Sequence, residues 1–317
     1  MEAYDIIIVG GGPAGSSCAW QLKQHGFNVL IIDKSVFPRI KLCAGWVTPF
    51  VFKLLQIKPS DYPYGLLTFK RLHFYFKGRH LPLPTRQYSV RRYEFDRFLL
   101  ERSGAEILQH TVKSIEQSSD GFVIDGKYIA KYLIGAGGTH CPVYRTFFEG
   151  SAPRDEAKRI VTIEEEFAYD YNDENCYLWF FENDLPGYAW YVPKANGYLN
   201  VGIGGGYAAL KRQGKSIHEH WQRFIEKLSN LNLVRHHSFA RRGYTYYLRS
   251  KNQKIYRDGA FLVGDAAGLA TLDMGEGISA AIQSGLLAAQ AIISGKAESY
   301  NINRISRLSL FRLLFRF

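Results

Sequence analysis

Apolar positions follow two rhythms along this chain, and the switch between them divides it. Asp5-Ile-Ile-Ile-Val9 is an unbroken β-branched run, the pattern of a strand buried on both faces of a parallel sheet. Ala14, Cys18 and Leu22 then fall at helical spacing, Gly26 supplies a stop, and Asn28-Val-Leu-Ile-Ile32 forms a second buried run. Ala260-Phe-Leu-Val-Gly264 repeats the strand pattern near the other end, ahead of a long apolar helix over 278–293. Between 152 and 206 the period changes to two. Arg159 to Tyr169, Tyr177 to Phe181, Tyr188 to Val192 and Tyr198 to Ile203 read as strands. The last two flank Ala195-Asn196-Gly197, whose Asn-Gly pair is a hairpin signal. An amphipathic stretch over 217–228 predicts a helix that exits at Asn230 to Asn232.

These patterns predict an α/β fold: a Rossmann-like domain with an inserted antiparallel β-sheet domain. The expected boundaries are 1–65, 88–150 and 251–300 for the Rossmann-like segments and 66–87 and 151–250 for the inserted sheet. Residues 301–317 form a basic apolar tail. Its last 15 residues, Asn303 to Phe317, interleave four arginines with eight Ile, Leu and Phe. That pattern suits an interfacial helix drawn to anionic lipid, or a final helix packed on the domain with its arginines reaching for water.

Composition narrows the class without choosing a partner. Forty Lys+Arg against 29 Asp+Glu leave +11, a balance that suits an anionic membrane, a polyanion or an acidic substrate. No recognisable nucleic-acid motif accompanies the basic residues, so nucleic acid is not an expected partner. Cys18, Cys43, Cys141 and Cys176 are widely spaced, which argues against zinc, against a disulfide framework and for a reducing compartment. The histidines give no metal-ligand spacing, and no metal site is expected. With no leader pattern and no 18-residue apolar run, the expected location is cytoplasmic, at the inner face of the membrane if the tail binds lipid.

The chemistry begins at Gly10-Gly-Gly12-Pro13-Ala14-Gly15, a G-x-G-x-x-G loop between the first strand and its helix, with Asp33 closing the second strand. Gly10 permits the tight turn, Gly12 lets backbone approach a pyrophosphate, and Gly15 lets helix and strand pack closely. An anion there meets free N–H groups and a helix dipole, while Asp33, beside Lys34, can accept hydrogen bonds from a ribose diol. Near the other end, Gly264-Asp265-Ala-Ala-Gly268 and Gly275-Glu-Gly277-Ile278 add a carboxylate for sugar hydroxyls and a helix opening for an electron-rich ring.

Taken together, these two motifs resemble an FAD-dependent oxidoreductase of the geranylgeranyl reductase family, within the aromatic hydroxylase-like flavoprotein superfamily. The resemblance runs from Glu2 to Ile293. It implies FAD as cofactor, Asp265 on the ribityl chain, and Gly277 with Ile278 at the flavin pyrimidine edge. Val90-Arg-Arg92-Tyr-Glu-Phe-Asp96 is similar to the family's Arg-x-x-Phe-Asp helix start, which places Arg92 near the cofactor. Lys41-Leu-Cys43-Ala-Gly45-Trp-Val-Thr-Pro49 resembles the reductases' loop beside the flavin. Gly187-Tyr188-Ala-Trp190-Tyr-Val-Pro193 resembles their Tyr-x-Trp-x-Phe-Pro substrate motif, with Val192 in place of Phe.

The implied reaction is hydride transfer from reduced flavin to a carbon–carbon double bond of an apolar, isoprenoid-like or lipid-like substrate. Cys43 is the candidate proton donor or gate, and Tyr188 and Trp190 are the candidate substrate-handling residues. The electron donor is open between NAD(P)H and a reduced carrier protein. Gly137 departs from the family's Gly-Ala-Asp-Gly after the middle Rossmann strand, and the chain stops soon after the 278–293 helix. These departures leave open a non-catalytic flavin-binding protein on a membrane, and the likeness of Tyr188-Ala-Trp190-Tyr-Val-Pro193 to a halogenase Trp-x-Trp-x-Ile-Pro motif leaves open a flavin-dependent monooxygenase or halogenase.

Overall fold

The computed structural model describes residues 1–251 and 253–309; residues 310–317 of the basic apolar tail lie outside them. The chain divides into two compact units. The first comprises Met1–Arg39, Tyr93–Asp155 and Tyr247–Ser309, and the described part of the second comprises Ile40–Arg92 and Glu156–Tyr246.

In the first unit the buried runs become a parallel sheet. Its order is Ala260–Leu262, Tyr128–Gly135, Glu2–Val9, Val29–Asp33 and Glu106–Gln109, with antiparallel Tyr256–Arg257 at one edge and Gly121–Ile124 also pairing with Tyr128–Gly135. Ile6, Ile7, Ile8, Leu30, Ile31 and Ile32 are fully enclosed, which is why these strands carry no polar alternation. Two helices, Pro13–Lys23 and Ile278–Ile293, pack against each other. Their approach depends on a small residue: a Cβ on Gly285 would lie 2.2 Å from the Ala14 carbonyl oxygen and 3.2 Å from the Cys18 backbone nitrogen.

The second unit is one sheet in the order Arg242–Tyr247, Arg159–Ala168, Tyr198–Gly206, Gly187–Lys194, Cys176–Phe180, Leu67–Phe76, Arg79–Ser89 and Trp46–Val47. Asn196 and Gly197 adopt φ of 61° and 67° in the expected hairpin turn. One join departs from the antiparallel expectation: Cys176–Phe180 runs parallel to Leu67–Phe76. These strands come from different chain segments, so no tight turn dictates their relative direction.

Residues 40–65 also fall differently from the expected boundary, associating with the second unit. Trp46 and Val47 pair with Ser89 and Tyr88, and Val90 N–H donates to the Gly45 carbonyl at 2.8 Å. A two-residue strand is too short to show in a periodicity.

One face of this sheet is covered by the helix Ile217–Asn230, which buries Trp221, Phe224 and Leu228 against Ile163, Tyr191, Val201 and Ile203. Its start follows from sequence. Ser216 Oγ accepts from His218 N–H at 3.2 Å while Glu219 accepts from Ser216 N–H at 3.3 Å, a capping box. The opposite face carries Tyr188 and Trp190.

Candidate functional site

In the first unit the glycine loop is shaped by what a side chain would strike. Gly10 has φ of 115°, and a Cβ there would lie 2.4 Å from the Ala136 carbonyl oxygen; on Gly15 it would lie 2.0 Å from the Gly10 carbonyl oxygen. Gly12 differs, since its nearest neighbour would be Arg39 Nη2 at 3.5 Å. That side of the loop is an open cradle of backbone at the start of a helix with Pro13 in its first turn, no acidic residue there and no side-chain cap. Backbone N–H groups at such an end attract an anion.

Asp33, half-buried, fixes the loop from the second strand. Its Oδ2 accepts from Gly11 N–H and its Oδ1 from Ser35 N–H, both at 2.8 Å. Ser16 Oγ donates to the Gly11 carbonyl at 2.9 Å, so this serine braces the loop. Lys34 is exposed beside them.

Arg39 was not visible in the sequence pattern, yet its guanidinium is the side chain nearest Gly12. It packs 4.7 Å from the Phe37 ring and pairs with the fully buried Asp96 at 3.4 Å. Asp96 closes the Arg-x-x-Phe-Asp motif, so within this unit the motif's acid orients a cation at the glycine loop. Arg92 itself is buried, at the first position of the helix Arg92–Arg102, and its segment belongs to the second unit.

The carboxy-terminal motif converges on the same helix pair. Gly264 turns with φ of 59°, its N–H donating to Ser284 Oγ at 2.9 Å. Half-buried Asp265 places Oδ1 3.5 Å from where a Gly277 Cβ would stand, so its carboxylate lies beside the start of the helix Ile278–Ile293. Gly275 takes φ of 61° ahead of that start. This helix end is already partly capped, because Glu276 accepts from Ser279 N–H at 2.7 Å and from Ser279 Oγ at 2.5 Å.

Arg154, also unforeseen, donates to the carbonyls of Thr139 at 2.5 Å and Ala266 at 2.9 Å, tying the turn after the middle strand to the Gly264–Ala267 turn. At Gly137 a Cβ would meet Cys141 Cα at 3.2 Å. The glycine at this departure from the family pattern therefore accompanies a close backbone approach.

Among the described residues no cluster of His, Cys, Asp and Glu could hold a metal. The four cysteines are free. Burial pushes the Cys18 and Cys176 thiols up to about 12, whereas Cys43 is only half-buried, its Sγ accepting from Gly45 N–H at 3.4 Å. Lys194 anchors that loop. Fully buried, its ammonium donates to the Ala44 carbonyl and, at 3.0 Å, to that of Val90. Burial lowers its pKa.

Trp190 and Tyr188 lie on the sheet face opposite the covering helix. Strand register sets Gly202 between Trp190 and Glu164. A Cβ on Gly202 would come 2.2 Å from Trp190 Cζ2, so the indole rests on bare backbone. Trp190 Nε1 donates to Asn200 Oδ1 at 2.7 Å, and Asn200 Nδ2 donates to Glu164 Oε2 at 3.2 Å. The amide is therefore oriented at both ends, and the indole with it. Trp179 lies on the covered face against Phe224 and is core.

Glu164 was missed, although three consecutive glutamates in one strand carried a signal: alternation must turn at least one inward. Burial raises its pKa from 4.5 to about 7, opposed by Asn200, Lys41 and Lys194. The folded chain thus keeps a proton that the unfolded chain releases between these values, and stability falls as pH rises through that window. Thermal unfolding at pH 5.5 and pH 8 is expected to show this loss for the wild type and a flatter response for Glu164→Gln. An equal pH response in both would contradict the assignment.

Residues 8–41 match the family of NAD(P)-binding Rossmann-like domains. An uncharacterized protein of Methanosarcina barkeri is 33% identical over 307 residues, covering 93% of this chain and 76% of its own. Digeranylgeranylglycerophospholipid reductase 1 of Methanosphaera stadtmanae is 29% identical over 328 residues, covering 96% and 79%. Among solved structures, a geranylgeranyl bacteriochlorophyll reductase-like protein from Thermoplasma acidophilum matches with a TM-score of 0.80 at 24% identity, covering 99% of this chain and 84% of that one. A flavin-dependent halogenase matches at 0.73 and 22%, covering 96% and 62%. At these identities the two structural matches speak to fold alone.

Proposed function

Because the chain belongs to the geranylgeranyl reductase family of FAD-dependent oxidoreductases, we propose that it reduces carbon–carbon double bonds of an isoprenoid lipid. FAD is the cofactor, and the residues present fit it. The open backbone at Gly12, the anion-receptive helix start and Asp33 suit a dinucleotide, and Asp265 beside the second helix start suits the sugar chain. When bound and reduced, FAD supplies a hydride.

In this reading Gly10, Gly12, Pro13, Ala14 and Gly15 cradle the pyrophosphate, and Arg39 lends it positive charge. Asp33 takes the ribose hydroxyls, with Lys34 at the rim. Arg92 serves the cofactor from the start of its helix; Gly264 and Gly275 shape the turns that present Asp265, Gly277 and Ile278. Tyr188 and Trp190 orient the apolar chain, and fixing it in one pose is the larger part of the protein's contribution. Cys43 holds the proton that completes saturation, on a loop anchored by Lys194.

The observation that carries the reading is the aromatic row in the second unit. Tyr188 stacks on Phe180 with centroids 5.0 Å apart, Phe180 lies 5.7 Å from Phe74, and Trp190 continues the row 5.7 Å from Tyr188. Flat apolar walls of this kind suit a polyisoprenoid chain better than a charged metabolite. Mixing reduced protein anaerobically with a geranylgeranyl ether lipid is expected to restore the oxidised-flavin spectrum. Restoration by oxygen alone, with substrate-dependent oxygen uptake, would favour a monooxygenase or halogenase instead.

A further inference from the structure

The aromatic row does not end in the interior. On the same sheet face, strand pairing sets Phe180 beside Phe76 and Phe74 beside Leu81. At the turn joining Leu67–Phe76 to Arg79–Ser89 the face opens to solvent: Phe76 is 47%, Leu81 56% and Phe181 55% exposed. Phe181 meets Phe76 edge-on at 5.9 Å and Phe180 at 6.2 Å. Ring contacts are thus continuous from this tip through Phe180 and Tyr188 to Trp190, which is only 5% exposed. Three large exposed apolar side chains at one tip need a partner more than scattered ones do.

Charge at the tip selects the partner. Lys77 and Arg79 occupy the turn, both exposed, and Lys77 Nζ lies 5.6 Å from the Phe76 ring centroid. Among the described residues neither has an acidic partner. The acids that follow Phe181 are matched elsewhere, Glu182 with Lys227 and Asp184 with Lys215. An apolar tip ringed by cations is what inserts at the headgroup boundary of an anionic bilayer.

We propose that the tip formed by Phe76, Leu81 and Phe181, with Lys77 and Arg79 at its rim, seats the second unit on an anionic lipid surface. Resting on the functional reading above, the tip is where a lipid-borne isoprenoid chain leaves the bilayer for the aromatic row. The rings sink into the acyl boundary, the cations meet phosphate headgroups, and the chain slides between apolar walls without crossing water.

Co-sedimentation of the full chain with phosphatidylcholine vesicles, with and without phosphatidylglycerol, tests this. Binding is expected with phosphatidylglycerol and is expected to weaken with salt. Phe76→Ser/Phe181→Ser and Lys77→Glu/Arg79→Glu should each weaken it by about ten-fold or more, with circular dichroism and flavin absorbance unchanged. Wild-type protein that ignores anionic vesicles overturns the proposal, as do variants that bind like the wild type. So does complete loss of binding in Arg312→Gln/Arg316→Gln, since the tail would then carry it. The assay needs no turnover. Protein that docks but saturates no polyprenyl lipid defeats the functional reading, and protein that reduces detergent-dispersed substrate yet ignores vesicles defeats this one.

Discussion

Gly15→Ala is expected to yield a destabilised protein that retains no FAD, whereas Gly12→Ala folds like the wild type and loses only cofactor affinity. The contrast follows from the surroundings of each glycine. At Gly15 the new methyl would stand 2.0 Å from the Gly10 carbonyl oxygen and 3.1 Å from both Ala136 Cβ and Ile8 Cγ2. None of these is the free end of a flexible side chain, so the helix must move off the strand. Displacement of packed backbone costs about 3 kcal/mol or more, which at roughly 2.1 cal/mol/K of unfolding entropy per residue lowers the unfolding midpoint of a chain of this size by about 4–5 °C or more. At Gly12 the backbone has φ of −74° and ψ of −178°, which alanine adopts freely, and the methyl meets only the Arg39 guanidinium at 3.5 Å. It would nonetheless stand where the pyrophosphate approaches. Calorimetry and flavin absorbance on both variants check the pair, and an unaltered midpoint for Gly15→Ala would contradict the packing argument.

Asp33→Ala carries the second large effect. Its carboxylate accepts from two backbone N–H groups, Gly11 and Ser35, and in the proposed complex it also takes the ribose diol. Losing charge-assisted bonds on both sides of the loop should cost on the order of 3 kcal/mol of binding, about a hundred-fold in the FAD dissociation constant. Asp33→Asn is expected to fall between, since an amide oxygen can still accept from one N–H. Titration of apoprotein with FAD measures this, and near-normal affinity in Asp33→Ala would remove Asp33 from the cofactor site.

What the sequence made legible was local. The βαβ unit at the amino terminus declares itself because a buried parallel strand, a glycine turn and an acid at the next strand end are all written within 33 residues. The Asn196-Gly197 turn is equally self-contained. The parallel join between Cys176–Phe180 and Leu67–Phe76 was not legible, because it unites segments about a hundred residues apart and no periodicity encodes which strand becomes the neighbour. Arg39 was hidden for the same reason, since its partner Asp96 lies in another segment. Glu164 was half-legible: the glutamate triplet required an inward acid, but only the fold sets Asn200 and Trp190 beside it.

The most direct test of the account is the mass of the product formed anaerobically from a geranylgeranyl ether lipid by dithionite-reduced, FAD-loaded protein. The account predicts two added hydrogens for each double bond consumed, with the flavin reoxidised in step and the reaction lost when Trp190 and Tyr188 are both replaced by alanine. A flavin that reoxidises only in air, leaving the lipid's mass unchanged or raised by oxygen or halogen, would contradict it.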